Sequence, residues 1–143
     1  MYQSPEFNTI PWAPLKKPLD QCKVALVTTG GVHLKTDVPF NMEDTNGDPT
    51  YRIIPSATKP RELITTHDYY DHRDADRDIN LVFPIEILQT CLQEGLLGEA
   101  ADSYYSFMGH VKGTHLRTLI KTSGEVAARM KHEEVDVAVL VPS

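Results

Sequence analysis

Residues 23–28 read Lys-Val-Ala-Leu-Val-Thr and set the first constraint on the fold. Four consecutive apolar side chains, Val24 to Val27, leave no polar face for water, so a strand here is buried on both sides. Such a strand needs helices over both faces of its sheet, which is the α/β solution. The run ends in Thr28-Thr29-Gly30-Gly31, a turn whose glycines permit positive φ and let backbone amides approach a ligand closely.

The rest of the chain repeats that alternation. A short strand over 62–66 feeds a polar run. A helix follows over 84–97, with proline in its first turn, Ile85, Leu88, Cys91 and Leu92 on one face, and Gly95 and Gly98 closing it. A strand over 103–108 leads to a helix with Thr114 as N-cap, running to His132, whose Leu116, Leu119, Ile120, Val126, Ala127 and Met130 follow helical spacing. The segment 135–141, apolar but for Asp136, is a last strand. Residues 36–61 have no period and read as a long surface excursion. Strands alternating with helices predict an α/β three-layer sandwich with a parallel or mixed sheet, Rossmann-like. Residues 1–20 hold four of the ten prolines and are expected as an extended arm, leaving 21–143 as a single α/β domain.

Composition removes several function classes. A net charge of -6 with no Lys/Arg cluster argues against a nucleic-acid partner. The apolar runs are far too short to span a bilayer. Pro5, Pro11, Pro14 and Pro18 interrupt any secretory leader, so a cytoplasmic location is the default expectation. Cys22 and Cys91 are too few and too far apart for a disulfide framework or a cysteine-based zinc site. The arm, with Phe7 and Trp12, and the last strand, with no helix after it, lead us to expect a homo-oligomer.

Chemistry concentrates in 67–80, His-Asp-Tyr-Tyr-Asp-His-Arg-Asp-Ala-Asp-Arg-Asp-Ile-Asn, which holds two imidazoles, five carboxylates and two guanidiniums. Arg73 and Arg77 are placed to neutralise the short aspartates, so the run reads as a preorganised polar loop. Ligands of open α/β sheets sit beyond the carboxyl ends of the strands. On that rule the 28–33 turn, the run after Thr66, the Gly109-His110 turn and Pro142-Ser143 all meet at one edge. His33 and His110 are candidate site histidines.

Two metal patterns can be tested on the letters. Thr66-His67-x-x-x-Asp71-His72 is similar to the zinc loop of the metallo-β-lactamase superfamily, but Tyr69 stands where its middle histidine belongs. Asp74, Asp76 and Asp78 have the opening spacing of a calcium loop, yet Ile79 and Ile85 occupy the positions that need glycine and glutamate. We therefore expect no metal, with a metal-dependent hydrolase on His67, Asp71 and His72 kept as an alternative beside a non-catalytic binding subunit.

Val24-Ala-Leu-Val-Thr-Thr-Gly-Gly-Val-His33, Gly47-Asp48-Pro49 with Tyr51-Arg52, the run 67–80 continuing into Val82-Phe83-Pro84-Ile85, and Tyr105-Ser106-Phe107-Met108-Gly109 carry a resemblance. Together they resemble the glycine/sarcosine/betaine reductase selenoprotein B and D-proline reductase family over nearly the whole chain after the arm. The resemblance implies a cytoplasmic oxidoreductase whose selenocysteine, or a cysteine in its place, attacks a small amine substrate and cleaves a carbon–nitrogen bond reductively.

That mechanism needs an acid for the leaving amine and groups that orient the substrate. We expect His67 and His72 as acid/base or orienting groups and Asp71 as the partner that fixes an imidazole tautomer. Thr29, Gly30 and Gly31 are expected as backbone donors to an anionic end of the substrate. The resemblance also puts the redox residue just after a strand of the 135–141 type. The expectation is thus a chain truncated at its carboxyl side, ending just before its selenocysteine or cysteine, carrying no cofactor of its own and lacking reductase activity. An in-frame UGA after the Ser143 codon would support that.

Overall fold

The computed structural model describes Thr9 and residues 13–143. Pro5 and Pro11 of the expected arm, and Phe7 and Trp12 behind the expected homo-oligomer, lie outside the described residues. Strand β1 (Lys23–Thr28) is central, with Val24, Ala25, Leu26 and Thr28 fully buried. Its neighbours on one side are β5 (Glu99–Ala100) and β6 (Ser103–Ser106), both parallel to it. Val24 faces Ala100 and Val27 faces Tyr105, so two extra residues bulge between these pairings. On the other side β7 (Val137–Val141) runs parallel along Val24–Thr28. Strand β3 (Arg52–Pro55) closes the β6 side antiparallel, and its Pro55 suits an edge. A separate ribbon pairs β2 (Val32–Leu34) antiparallel with β4 (Leu63–Thr65).

Two apolar clusters hold this curled, mixed sheet. Helix α2 (Ile85–Gln93) brings Ile85 and Leu88 to a cluster with Val24, Leu26, Ile54, Phe83 and Tyr104. Helix α3 (His115–His132) brings Val126 and Leu119 to a second cluster with Tyr105, Phe107, Val27 and Tyr51. Each fully buried Leu, Ile or Phe contributes about 1.5–3 kcal/mol of transfer free energy. Basic Arg129, Lys131 and His132 occupy the last turn of α3, where the carbonyl ends favour cations.

The α/β class and most elements follow the sequence, with four differences. Helix α2 stops at Gln93, because Gly95, just past the cap residue Glu94, takes φ +70°. The excursion 36–61 contains β3, and the 28–33 turn runs into β2. The polar run is partly helical, with α1 spanning Arg73–Arg77. Strand β7 is half-buried at the sheet edge, since Val137, Val139 and Val141 pack inward while Ala138 and Leu140 face outward. Its uniform apolarity does not mean burial on both faces.

Candidate functional site

The carboxyl end of β1 is tied down by side-chain and backbone bonds. The Thr28 hydroxyl donates to the Val82 carbonyl at 2.7 Å and accepts the Gly30 N–H at 2.9 Å. The Gly31 N–H donates to the Phe107 carbonyl, and the Thr66 N–H to the Gly31 carbonyl, both at 2.9 Å. Gly31 needs its missing side chain: φ is +67°, and a Cβ would stand 2.5 Å from the Thr66 carbonyl oxygen. The Thr29 N–H donates to Val141, and its hydroxyl accepts the Ser143 N–H at 2.9 Å. Tyr70 reaches across from the polar run to donate its hydroxyl to the Gly30 carbonyl at 3.2 Å.

The Gly109-His110 turn completes the junction. Gly109 donates its N–H to Nε2 of His67 at 3.1 Å. A Cβ there would meet the Ser143 carbonyl oxygen at 2.6 Å, that of Thr29 at 3.2 Å and Nε2 of His67 at 3.3 Å. Four segments distant in sequence thus converge at the carboxyl edge of the sheet, as the topology predicts. Beside them lies an apolar cleft of about 620 Å3, lined by Val27, Thr29, Phe107, Met108, Leu119 and Leu140.

The candidate residues separate into groups. His67 is only 3% exposed, and burial, with the His110 imidazole nearby, holds its pKa below the ordinary imidazole value. His110 stacks on Tyr69, with ring centroids 3.7 Å apart. His33 is buried in β2. Its Nδ1 lies 2.7 Å from the Leu34 carbonyl and its Nε2 2.8 Å from the Thr66 hydroxyl, so it ties the ribbon together. His72 precedes α1 with Nδ1 2.9 Å from Asp76, one helical turn on. It borders a second groove of about 670 Å3 between α1 and the β2–β4 ribbon, which Lys35, Arg61 and Arg77 also line.

Several roles need correction. The carboxylate on the His72 imidazole is Asp76, because Asp71 is taken by the guanidinium of Arg73, which lowers the Asp71 pKa. The amides of Thr29, Gly30 and Gly31 all donate internally, to Val141, Thr28 and Phe107, and so are not offered to an anion. His67, Asp71 and His72 point to three different partners, and no group of three His, Cys, Asp or Glu side chains gathers as a metal site among the described residues. Tyr69 and Tyr70 were missed as site members; two adjacent tyrosines inside a charged run were the available signal. Cys22 is buried at the opposite, amino end of β1, with Sγ 3.3 Å from the Pro18 carbonyl. Cys91 is half-buried on α2.

The family model of glycine/sarcosine/betaine reductase selenoprotein B matches residues 1–143. The chain belongs to this reductase family. It is 36% identical over 129 residues to the D-proline reductase subunit gamma of Acetoanaerobium sticklandii, covering 90% of this chain and 52% of that one. It is 30% identical over 139 residues to the glycine reductase complex component B subunit gamma of Carboxydothermus hydrogenoformans, covering 95% and 31%. With the sarcosine reductase complex component B subunit beta of Peptoclostridium acidaminophilum it shares 31% over 111 residues, covering 76% and 25%. The chain thus spans about half the length of the first of these reductase-family relatives and a third or less of the others. No solved structure matches it. No helix among the described residues is long and apolar enough to cross a membrane.

Proposed function

We propose that this chain works in a selenocysteine- or thiol-dependent reductase, with a small amine or amino-acid-like substrate held at the carboxyl edge of its sheet. The observation that carries the reading is the meeting of Thr29, His67, Gly109 and Ser143 around one point, next to an apolar cleft. Of the two candidate acid/base histidines, His67 stands at this point, with Nε2 accepting the Gly109 N–H, while His72 borders the second groove with Nδ1 on Asp76. Thr29 lines the cleft, and His110 follows Gly109 directly. Cys22 and Cys91 lie away from this edge, so the redox nucleophile is a residue other than these two. The same reading takes the sheet as a Rossmann-like three-layer domain following an extended arm, in a cytoplasmic homo-oligomer with no cofactor of its own.

The test is a chimera in which this chain replaces the matching half of the A. sticklandii D-proline reductase subunit gamma, assembled into that relative's complex. Supplied with a dithiol and a panel of small amino acids, it should turn over at least one of them. A folded, assembled chimera that is inert towards the whole panel would overturn the reading.

A further inference from the structure

His67 is a buried polar side chain at this edge, and it is bounded by donors at both ring nitrogens. The Gly109 N–H lies 3.1 Å from Nε2 and the Tyr69 N–H 3.3 Å from Nδ1. A neutral imidazole accepts one such donor at a time, and an imidazolium accepts neither. The nearer contact makes Nε2 the acceptor. The ring is packed edge-on against Tyr70, with centroids 4.8 Å apart, and against Tyr69 at 6.1 Å. Taking a proton from a substrate needs an open lone pair and giving one needs a free N–H; here Nε2 is occupied by the Gly109 N–H and Nδ1 faces the backbone of Tyr69.

The two backbone groups it faces belong to segments that meet again one layer out. Tyr69 itself, and His110 directly after Gly109, form the stacked pair, with rings 13° from parallel. One buried imidazole therefore bridges the polar run and the 109–110 turn, 42 residues apart, directly beneath a tyrosine–histidine platform. Tyr69 is 44% exposed, so the platform looks outward. We propose that His67 is a positioning residue: a bridge whose Nε2 accepts from Gly109 and so sets the Tyr69–His110 pair at the carboxyl edge. The assignment rests on the proposed function only for what that edge serves; the bridge itself is tested without turnover.

The charged and titratable groups that face His67 are His110 from its turn and Asp68 and His72 from its own segment, with the Tyr69 and Tyr70 rings against it. Nitrogen-15 spectra of the imidazoles in the full chain should show His67 protonated at Nδ1 alone at neutral pH and taking up its second proton only below the ordinary histidine value. His67→Gln, whose side-chain oxygen can still accept, should keep the Gly109 amide resonance and the ring-current shifts of Tyr69 and His110. His67→Leu should lose both, with Gly109 amide exchange about tenfold faster, the equivalent of one hydrogen bond. A His67 ring that titrates with the exposed histidines, a proton on Nε2, or a folded His67→Leu chain with an unmoved Gly109 amide would each overturn the assignment. Should His67→Leu fail to fold, the wild-type titration and the Gln variant still decide it.

Discussion

His67 and His72 are five residues apart in one polar run and live in opposite surroundings. His67 follows β4 into the junction of four segments and is sealed there between backbone donors and aromatic rings. His72 begins α1, half-exposed, and its bond is to a side chain of the same short helix. The difference teaches that charge density in a sequence marks where chemistry can be but not which member is fixed by the fold. Proximity to a strand end decides that, because strand ends are held by long-range backbone pairing and a five-residue helix is held by little besides itself.

The largest expected effect comes from the backbone on the buried side. Gly31→Ala adds a side chain at φ +67° and 2.5 Å from a carbonyl oxygen, and should cost about 2 kcal/mol or more in urea unfolding. A cost within error would show that the junction is looser than this contact implies. Next comes the pair of histidines. His67→Leu removes the acceptor of the part-buried Gly109 N–H and should cost about 1–2 kcal/mol, whereas His72→Leu should cost less than about 0.5 kcal/mol. Equal losses would erase the distinction between the two sites.

A pH profile sharpens the same contrast. The folded state depresses the His67 pKa, so the unfolded chain binds the proton more readily. Its contribution is fully present above the ordinary imidazole value and declines as pH falls from there through the depressed folded value. The wild type should therefore lose stability over that window relative to His67→Gln, which has no such group. A difference between the two that stays flat with pH contradicts the His67 bridge. The smallest effect belongs to the outer face of α1: Asp71→Asn or Arg73→Ala removes a solvent-exposed ion pair and should leave the unfolding midpoint unchanged.

Much of this was legible in the letters. Val24–Val27 announced a central strand, the stripe on α3 announced its length, and the topology rule placed four turns at one edge. What stayed hidden depends on tertiary pairing. Arg52-Ile-Ile-Pro55 is a strand only because it borders β6, with Ile53 turned outward. Leu140 is 70% exposed, since apolarity does not distinguish an edge strand from a central one. Asp76 meets His72 only once α1 forms and brings positions four apart together, and Asp71 is then free to take Arg73. The Thr29–Gly31 turn looked like an anion cradle because glycines permit one; the fold spends those amides on Val141, Thr28 and Phe107 instead.

On the proposed function, the junction around Gly109, not the charged helix α1, is where a small amine substrate meets this chain. Amide chemical shifts recorded while D-proline, glycine and sarcosine are titrated into the full chain test it most directly. Perturbations should cluster at Thr29, Gly30, Gly109 and His110 for at least one of the three. Shifts confined to Asp74–Asp78, or none with any of them at saturating concentration, would contradict it.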